Sequence, residues 1–154
     1  MMHYKRIISC LIIVICLMWP KRMFAEDIKA NEIKWRALAN IPEPAPGLKQ
    51  PGLAGAFAGF HEGVLMIAGG ANFPDKMPWE GGRKTYHDEI YVLKKNGESH
   101  QWLKPKMHRL KHQAAYGVSI SMPEGVVCVG GESSAGLVKD VFLMKWVEAL
   151  NDVK

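Results

Sequence analysis

The chain has almost nothing with which to staple itself. It holds three cysteines in 154 residues, and two of them, Cys10 and Cys16, lie in an apolar leader. Cys128 is left alone in an apolar run, where it reads as a small buried hydrophobe. A disulfide framework is therefore excluded, even in an oxidising compartment. An excess of one charge is lacking too. The formal net charge is +5, but Lys5, Arg6, Lys21 and Arg22 supply most of it. Beyond residue 25, 16 basic residues face 15 acidic ones. A nearly neutral body has no electrostatic footprint for nucleic acid. No phosphate loop, dinucleotide fingerprint or activated-nucleophile motif occurs. His108 and His112 are four apart, a spacing that suits a metal only on a helix face. Pro105 argues against a helix there, so no metal site is expected.

A membrane-length apolar run is also missing. Ile7–Trp19 is 13 residues without charge, whereas a spanning helix needs about 20. Lys5-Arg6 before it, Pro20 after it and Met23-Phe24-Ala25 beyond read as a secretory signal cut after Ala25. The expectation is an exported, periplasmic or secreted protein with no stable membrane anchor once the signal is removed. A tethered protein is the alternative, and it predicts an uncut N-terminus.

What is present is repetition. Gly69-Gly70 returns as Gly130-Gly131. Val64-Leu65-Met66-Ile67-Ala68 precedes the first pair, and Val126-Val127-Cys128-Val129 precedes the second. Glu89-Ile90-Tyr91-Val92-Leu93 follows the first, and Asp140-Val141-Phe142-Leu143-Met144 the second. Self-similarity at this spacing marks a repeat architecture. The apolar runs are short, rich in β-branched residues and bounded by Gly, which predicts strands buried on both faces. Glu62-Gly63 and Glu124-Gly125 read as hairpin turns.

The strand pattern divides the chain. Residues 1–25 are the signal, and 26–50 hold an outer strand near Glu32–Leu38, opened by Trp35, and a linker. Residues 51–110 hold four strands, at 54–60, 63–68, 88–93 and 100–104. Residues 111–146 hold three, at 114–121, 125–129 and 138–145. Residues 147–154 form a tail in which Glu148-Ala149-Leu150 looks helical. The loop at 71–87 is about ten residues longer than its counterpart, and an insertion of that kind in a compact repeat is functional or disordered.

Gly55-Ala56-Phe57-Ala58-Gly59, Ala68-Gly69-Gly70-Ala71-Asn72-Phe73, Glu80-Gly81-Gly82-Arg83-Lys84, Ala115-Tyr116-Gly117-Val118-Ser119 and Gly130-Gly131-Glu132 occur in order. Gly-Gly after an apolar strand, an aromatic in the next strand and a later Trp form the kelch motif, one four-stranded blade of a β-propeller. Together the strings resemble the bacterial N-acetylneuraminate epimerases, the sialic acid mutarotases, over roughly residues 50–145. The order of parts resembles a cyclically permuted branch of that family.

The resemblance implies an all-β fold: about two blades of a ring of about six, the chain being an N-terminal fragment. It implies acid/base interconversion of the α and β anomers of N-acetylneuraminate through ring opening, without cofactor, and sialic acid as the small-molecule partner. This chain alone is then expected to be inactive, and either to self-associate or to take missing blades from a downstream chain. The alternative is a non-catalytic kelch module that binds a partner or completes a propeller with another chain.

Glu132 resembles the family's catalytic Gly-Glu arrangement. Six residues on, where that pattern carries Arg, stands Val138, so the family's acid/base is expected in another blade. Glu132 is then an acid/base, a substrate contact, or a side chain that fixes its own loop. Asn72, Glu80, Arg83, Lys84 and Tyr86 are the substrate-binding candidates of the long loop. Arg83 or Lys84 would hold the sugar carboxylate, or form a solvated basic turn. Trp79 covers the pocket or packs the loop.

Overall fold

The computed structural model describes residues 34–43, 46–47, 50–103 and 109–154. The chain divides into two compact units, Met1–Arg36 and Ala37–Lys154; the second carries the fold described below. The leader, its cleavage point and His108 lie outside the described residues. Among those residues, no helix is long and apolar enough to cross a membrane.

In chain order the strands are β1 (Phe57–His61), β2 (Val64–Ala68), β3 (Ala71–Asn72), β4 (Thr85–Tyr86), β5 (Ile90–Asn96), β6 (Ser99–Leu103), β7 (Val118–Met122), β8 (Gly125–Val129), β9 (Glu132–Ser133), β10 (Gly136–Leu137), β11 (Val141–Met144), β12 (Trp146–Val147) and β13 (Asp152–Val153). The first sheet is an antiparallel meander in the order β1-β2-β5-β6. The second has three strands in the order β11-β8-β7. This is the all-β, kelch-type blade arrangement that the Gly-Gly repeats predict. Both sheets use one register: Phe57 faces Ala68 in the first, and Val118 faces Val129 in the second.

Burial alternates along β1, with Phe57, Gly59 and His61 inside and Ala58 and Phe60 outside. That is the period of two expected of a pleated strand with one face on a core. β2 alternates likewise between buried and half-buried positions, so it is not sealed on both faces. The core lies between the two sheets. Phe57, Val64, Met66, Ala68 and Val92 of the first meet Val126, Cys128 and Met144 of the second, with Trp146 and Val153 closing one end. Burying each large side chain contributes about 1.5–3 kcal/mol. Phe57 and Phe142 meet edge to face at 5.4 Å and 76°, the geometry that ring quadrupoles favour. Close approach of the sheets requires Gly59: a Cβ there would fall 2.6 Å from a Val126 methyl.

Several local expectations need correction. The first hairpin turn is Glu62-Gly63, with φ of 49° and 75°, the conformation a two-residue type I′ loop demands. The second turn is Pro123-Glu124, one residue earlier than expected, because Met122 pairs with Gly125. Proline's ring fixes a negative φ, so this turn is of another type. The described part of the expected outer strand, residues 34–38, has no strand structure, and Trp35 is exposed. An isolated extended segment has no ladder to stabilise it, and no described strand pairs with this one.

The tail does more than a helical turn. A 3-10 helix, Glu148–Leu150, links β12 to β13, and these two pair with each other. Trp146 N–H donates to buried His61 Nδ1 at 3.1 Å, tying this hairpin to β1. The long loop has structure as well. β3 pairs with β4 at its stem, and Pro78–Glu80 forms a 3-10 turn at its tip.

Candidate functional site

The two repeats superpose at an offset of 61 residues, the distance from Gly69 to Gly130. The backbone follows the same rule. Ala54 bridges Ala71 in the first repeat, and Ala115 bridges Glu132 in the second. Gly55 has φ of 61°, and its counterpart Tyr116 has φ of 62°. The second repeat thus departs from the first by placing Glu where Ala stood and Tyr where Gly stood. A left-handed tyrosine costs about 1–2 kcal/mol, and strain of this kind collects at functional positions. The Ala115–Glu132 bridge sets Glu132 beside Tyr116.

The long loop of the first repeat reaches this point. Glu132 Oε1 accepts a hydrogen bond from Tyr86 Oη at 2.6 Å and another from Lys84 Nζ at 3.1 Å. Lys84 Nζ also lies 4.8 Å from the Tyr116 ring centre and 5.5 Å from that of Tyr86, within cation–π range. Four side chains from two repeats therefore converge. The Tyr86 hydrogen bond, then the Lys84 one, holds the Glu132 carboxyl below the usual carboxylate range. Glu132 in turn raises Lys84 and Tyr86 above their ordinary values. The cluster is a carboxylate, an ammonium and a neutral phenol throughout the neutral range. Its side chains are partly exposed, so the ion pair is screened and weak, and its components can turn to a ligand.

The remaining loop candidates have other surroundings. Asn72 braces the stem: its Nδ2 donates to Gly52 C=O at 2.9 Å and to Gln50 Oε1 at 3.1 Å, and its Oδ1 meets His87 Nε2 at 2.9 Å. Glu80 Oε2 accepts from Met77 N–H at 3.2 Å, capping its own 3-10 turn. Arg83 is exposed and makes no ion pair among the described residues. Trp79 is exposed and does not pack the loop. Tyr116 was missed as a site residue on sequence grounds. The available signal was the alignment of Tyr116 with Gly55, an unusual replacement at a glycine position.

A second polar group lies at the base of the loop. Arg109 pairs with Asp88 at 2.6 Å and with Glu89 at 3.2 Å, and Asp88 is the main cause of Arg109's raised pKa. This pairing joins the segment after β6 to the start of β5. A cleft of about 370 Å³ opens nearby, lined by Leu110, His112, Asp140 and Phe142 among others. Among the described residues, no group of three His, Cys, Asp or Glu side chains could hold a metal ion.

Comparison with known proteins bears on the family and the fold. Residues 20–151 match the family model of N-acetylneuraminate epimerase. The N-acetylneuraminate epimerase of Salmonella enteritidis is 38% identical over 116 residues, which is 69% of this chain and 28% of that protein. The Vibrio cholerae N-acetylneuraminate epimerase is 36% identical over 122 residues, 73% of this chain and 30% of that protein. The solved structure of YjhT matches with a TM-score of 0.60 and 32% identity, covering 79% of this chain and 34% of that one. The chain thus spans less than a third of the curated relatives' length. A family match over most of the chain, on a fold built from two Gly-Gly sheets, places this protein in the N-acetylneuraminate epimerase family.

Proposed function

We propose that the Lys84–Tyr86–Glu132–Tyr116 cluster forms one wall of a sialic acid pocket in a mutarotase. The observation that carries this reading is the convergence of a long-loop cation and phenol on a carboxylate at a left-handed Tyr junction. Lys84, with exposed Arg83 beside it in sequence, supplies positive charge for the sugar carboxylate. Tyr116 and Tyr86 supply ring surface for the sugar's apolar face.

The reaction interconverts anomers. The anomeric hydroxyl loses a proton as the bond from that carbon to the ring oxygen breaks, and the ring oxygen takes a proton. Closure onto the other face of the carbonyl gives the other anomer. A group that both takes and gives protons works best with a pKa near the operating pH. Glu132 is held low, which leaves it a weak base, so it suits accepting hydrogen bonds from sugar hydroxyls rather than taking their protons. The proton-giving group belongs to the part of the ring outside the matched span. Lys5-Arg6 and the apolar stretch to Trp19 support export, and the mature N-terminus should then be Glu26.

Saturation-transfer NMR with N-acetylneuraminate tests the pocket. The full chain should contact the free acid, and Lys84→Ala should weaken binding roughly fivefold or more, because it removes a charge-assisted hydrogen bond to the sugar carboxylate. The methyl ester of the sugar should bind the parent and Lys84→Ala alike. Equal loss of acid and ester would show that Lys84 does not read the carboxylate.

A further inference from the structure

A buried oxygen at the base of the long loop lacks a hydrogen. Among the described residues, Glu89 Oε2 is the buried side-chain atom with no hydrogen-bond partner. A group of this kind costs free energy unless something meets it. What faces it is His87 Nδ1, at 3.5 Å. That separation suits an ion pair and is too long for a hydrogen bond. His87 follows β4 directly, so it closes the stem of the loop that carries Lys84 and Tyr86. Its backbone is held on both sides. The N–H donates to Gly70 C=O at 2.9 Å, and the C=O accepts from Ala114 N–H at 3.2 Å.

The other ring nitrogen decides which proton His87 carries. Asn72 Nδ2 donates to Gly52 C=O, and a carbonyl can only accept. The amide nitrogen is therefore on that side, and Oδ1 faces His87 Nε2 at 2.9 Å. Nε2 must carry the hydrogen. With one ring proton, Nδ1 then turns a lone pair to the Glu89 carboxylate, acceptor against acceptor. With two, Nδ1–H donates to Oε2, and the contact becomes a charge-assisted hydrogen bond of about 2.7–2.9 Å. Histidine ordinarily makes this change between about pH 5 and 8, where an ordinary carboxylate stays ionised. Four charged or titratable groups surround the pair. Arg109 reaches Glu89 Oε1 at 3.2 Å and Asp88 at 2.6 Å, and Tyr91 lies within electrostatic reach of Glu89. Neutral Asn72 is the contribution of β3.

We propose that His87 and Glu89 form a proton-operated clasp at the base of the long loop, closed when His87 carries both ring protons, and that the clasp positions Tyr86 and Lys84 against Glu132. His87 is a positioning residue, acting through the backbone it shares with Tyr86. Closure adds a bond in the folded loop alone. The stem is therefore firmest below the histidine range and loosens as pH rises through it. The clasp rests on the stem's own geometry, whatever ligand the cluster takes.

Hydrogen exchange and NMR on the full chain test this. Protection of the His87 and Ala114 amides, relative to that of core Val92, should rise roughly fivefold from about pH 8 to about pH 5.5, the scale of one partly exposed charge-assisted bond. The Glu132 carboxyl resonance should show a step over the same interval, above the range in which its own depressed carboxyl titrates. Glu89→Gln separates the clasp from a passive brace. Its amide nitrogen would donate to Nδ1 with no added proton, and its oxygen would keep Arg109. Both steps should vanish in this variant, and the stem should stay protected at the higher pH. Nitrogen NMR of the parent at the higher pH should find the His87 ring hydrogen on Nε2. Absence of either step in the parent would overturn the proposal, as would persistence of the steps in Glu89→Gln, or a ring hydrogen on Nδ1 in place of Nε2.

Discussion

Gly69 and Gly130 occupy the same place in the two repeats, with φ of 65° and 66°, yet alanine should affect them very differently. A left-handed alanine costs about 1–2 kcal/mol, and the stiffer unfolded chain returns about 0.4–1 kcal/mol. At Gly130 the new Cβ meets nothing nearer than Val138 C=O, at an ordinary 3.5 Å. Gly130→Ala should therefore cost about 1 kcal/mol. At Gly69 the Cβ would fall 2.3 Å from Ala114 C=O. That carbonyl accepts the Gly70 N–H bond at 2.8 Å, so it cannot swing away without surrendering the bond. Overpacking adds about 1–3 kcal/mol, and loss of the bond about 1 kcal/mol. Gly69→Ala should cost about 3–5 kcal/mol, a large part of a typical domain's stability. Urea unfolding followed by tryptophan fluorescence measures this, with buried Trp146 as a reporter and the midpoints compared at constant slope. Equal midpoint losses in the two variants would refute the reasoning, because crowding against Ala114 C=O and the Leu110 side chain is what separates them.

Three further outcomes are expected. His61→Leu should destabilise by about 1–3 kcal/mol, since it orphans the buried Trp146 N–H; a urea midpoint within error of the parent would count against that bond. Tyr86→Phe should raise the Glu132 carboxyl toward its ordinary value, because the Tyr86 hydrogen bond is the leading cause of its depression. In the parent, the cluster's contribution is present above the ordinary carboxylate range and lost as pH falls through the depressed value, so carbon-detected NMR titration should show the midpoint move up in the variant. Cys128, buried and pushed up to about 11 by desolvation, should resist thiol reagents at neutral pH, and the fold should lose stability as pH rises from about 9 through about 11. Rapid labelling of the native chain would contradict its burial.

Much of the fold is legible locally. Alternating apolar residues, β-branched runs and Gly-Gly punctuation identify β1, β2, β7 and β8, because strand conformation and tight turns are properties of neighbouring residues. The second turn was misplaced by one residue, since Pro123 and Gly125 both punctuate and only the pairing of Met122 with Gly125 chooses between them. The outer strand near Trp35 was not found in the described residues, because a strand exists only with a partner and sequence does not name one. In the site, Lys84 and Tyr86 could be flagged as polar residues of an inserted loop. Their meeting with Glu132, 48 and 46 residues away, could not.

By itself the sequence determined a repeated all-β unit, since the period of two and the glycine pairs are written in consecutive residues. Tertiary structure alone decided which repeat positions became chemistry. Glu132 and Tyr116 acquire meaning only when the loop of one repeat folds against the junction of the next. His87 and Glu89 become a clasp only because the loop's stem brings Asn72 across to them. Contacts between residues dozens of positions apart depend on how whole sheets pack, and no local preference specifies that packing.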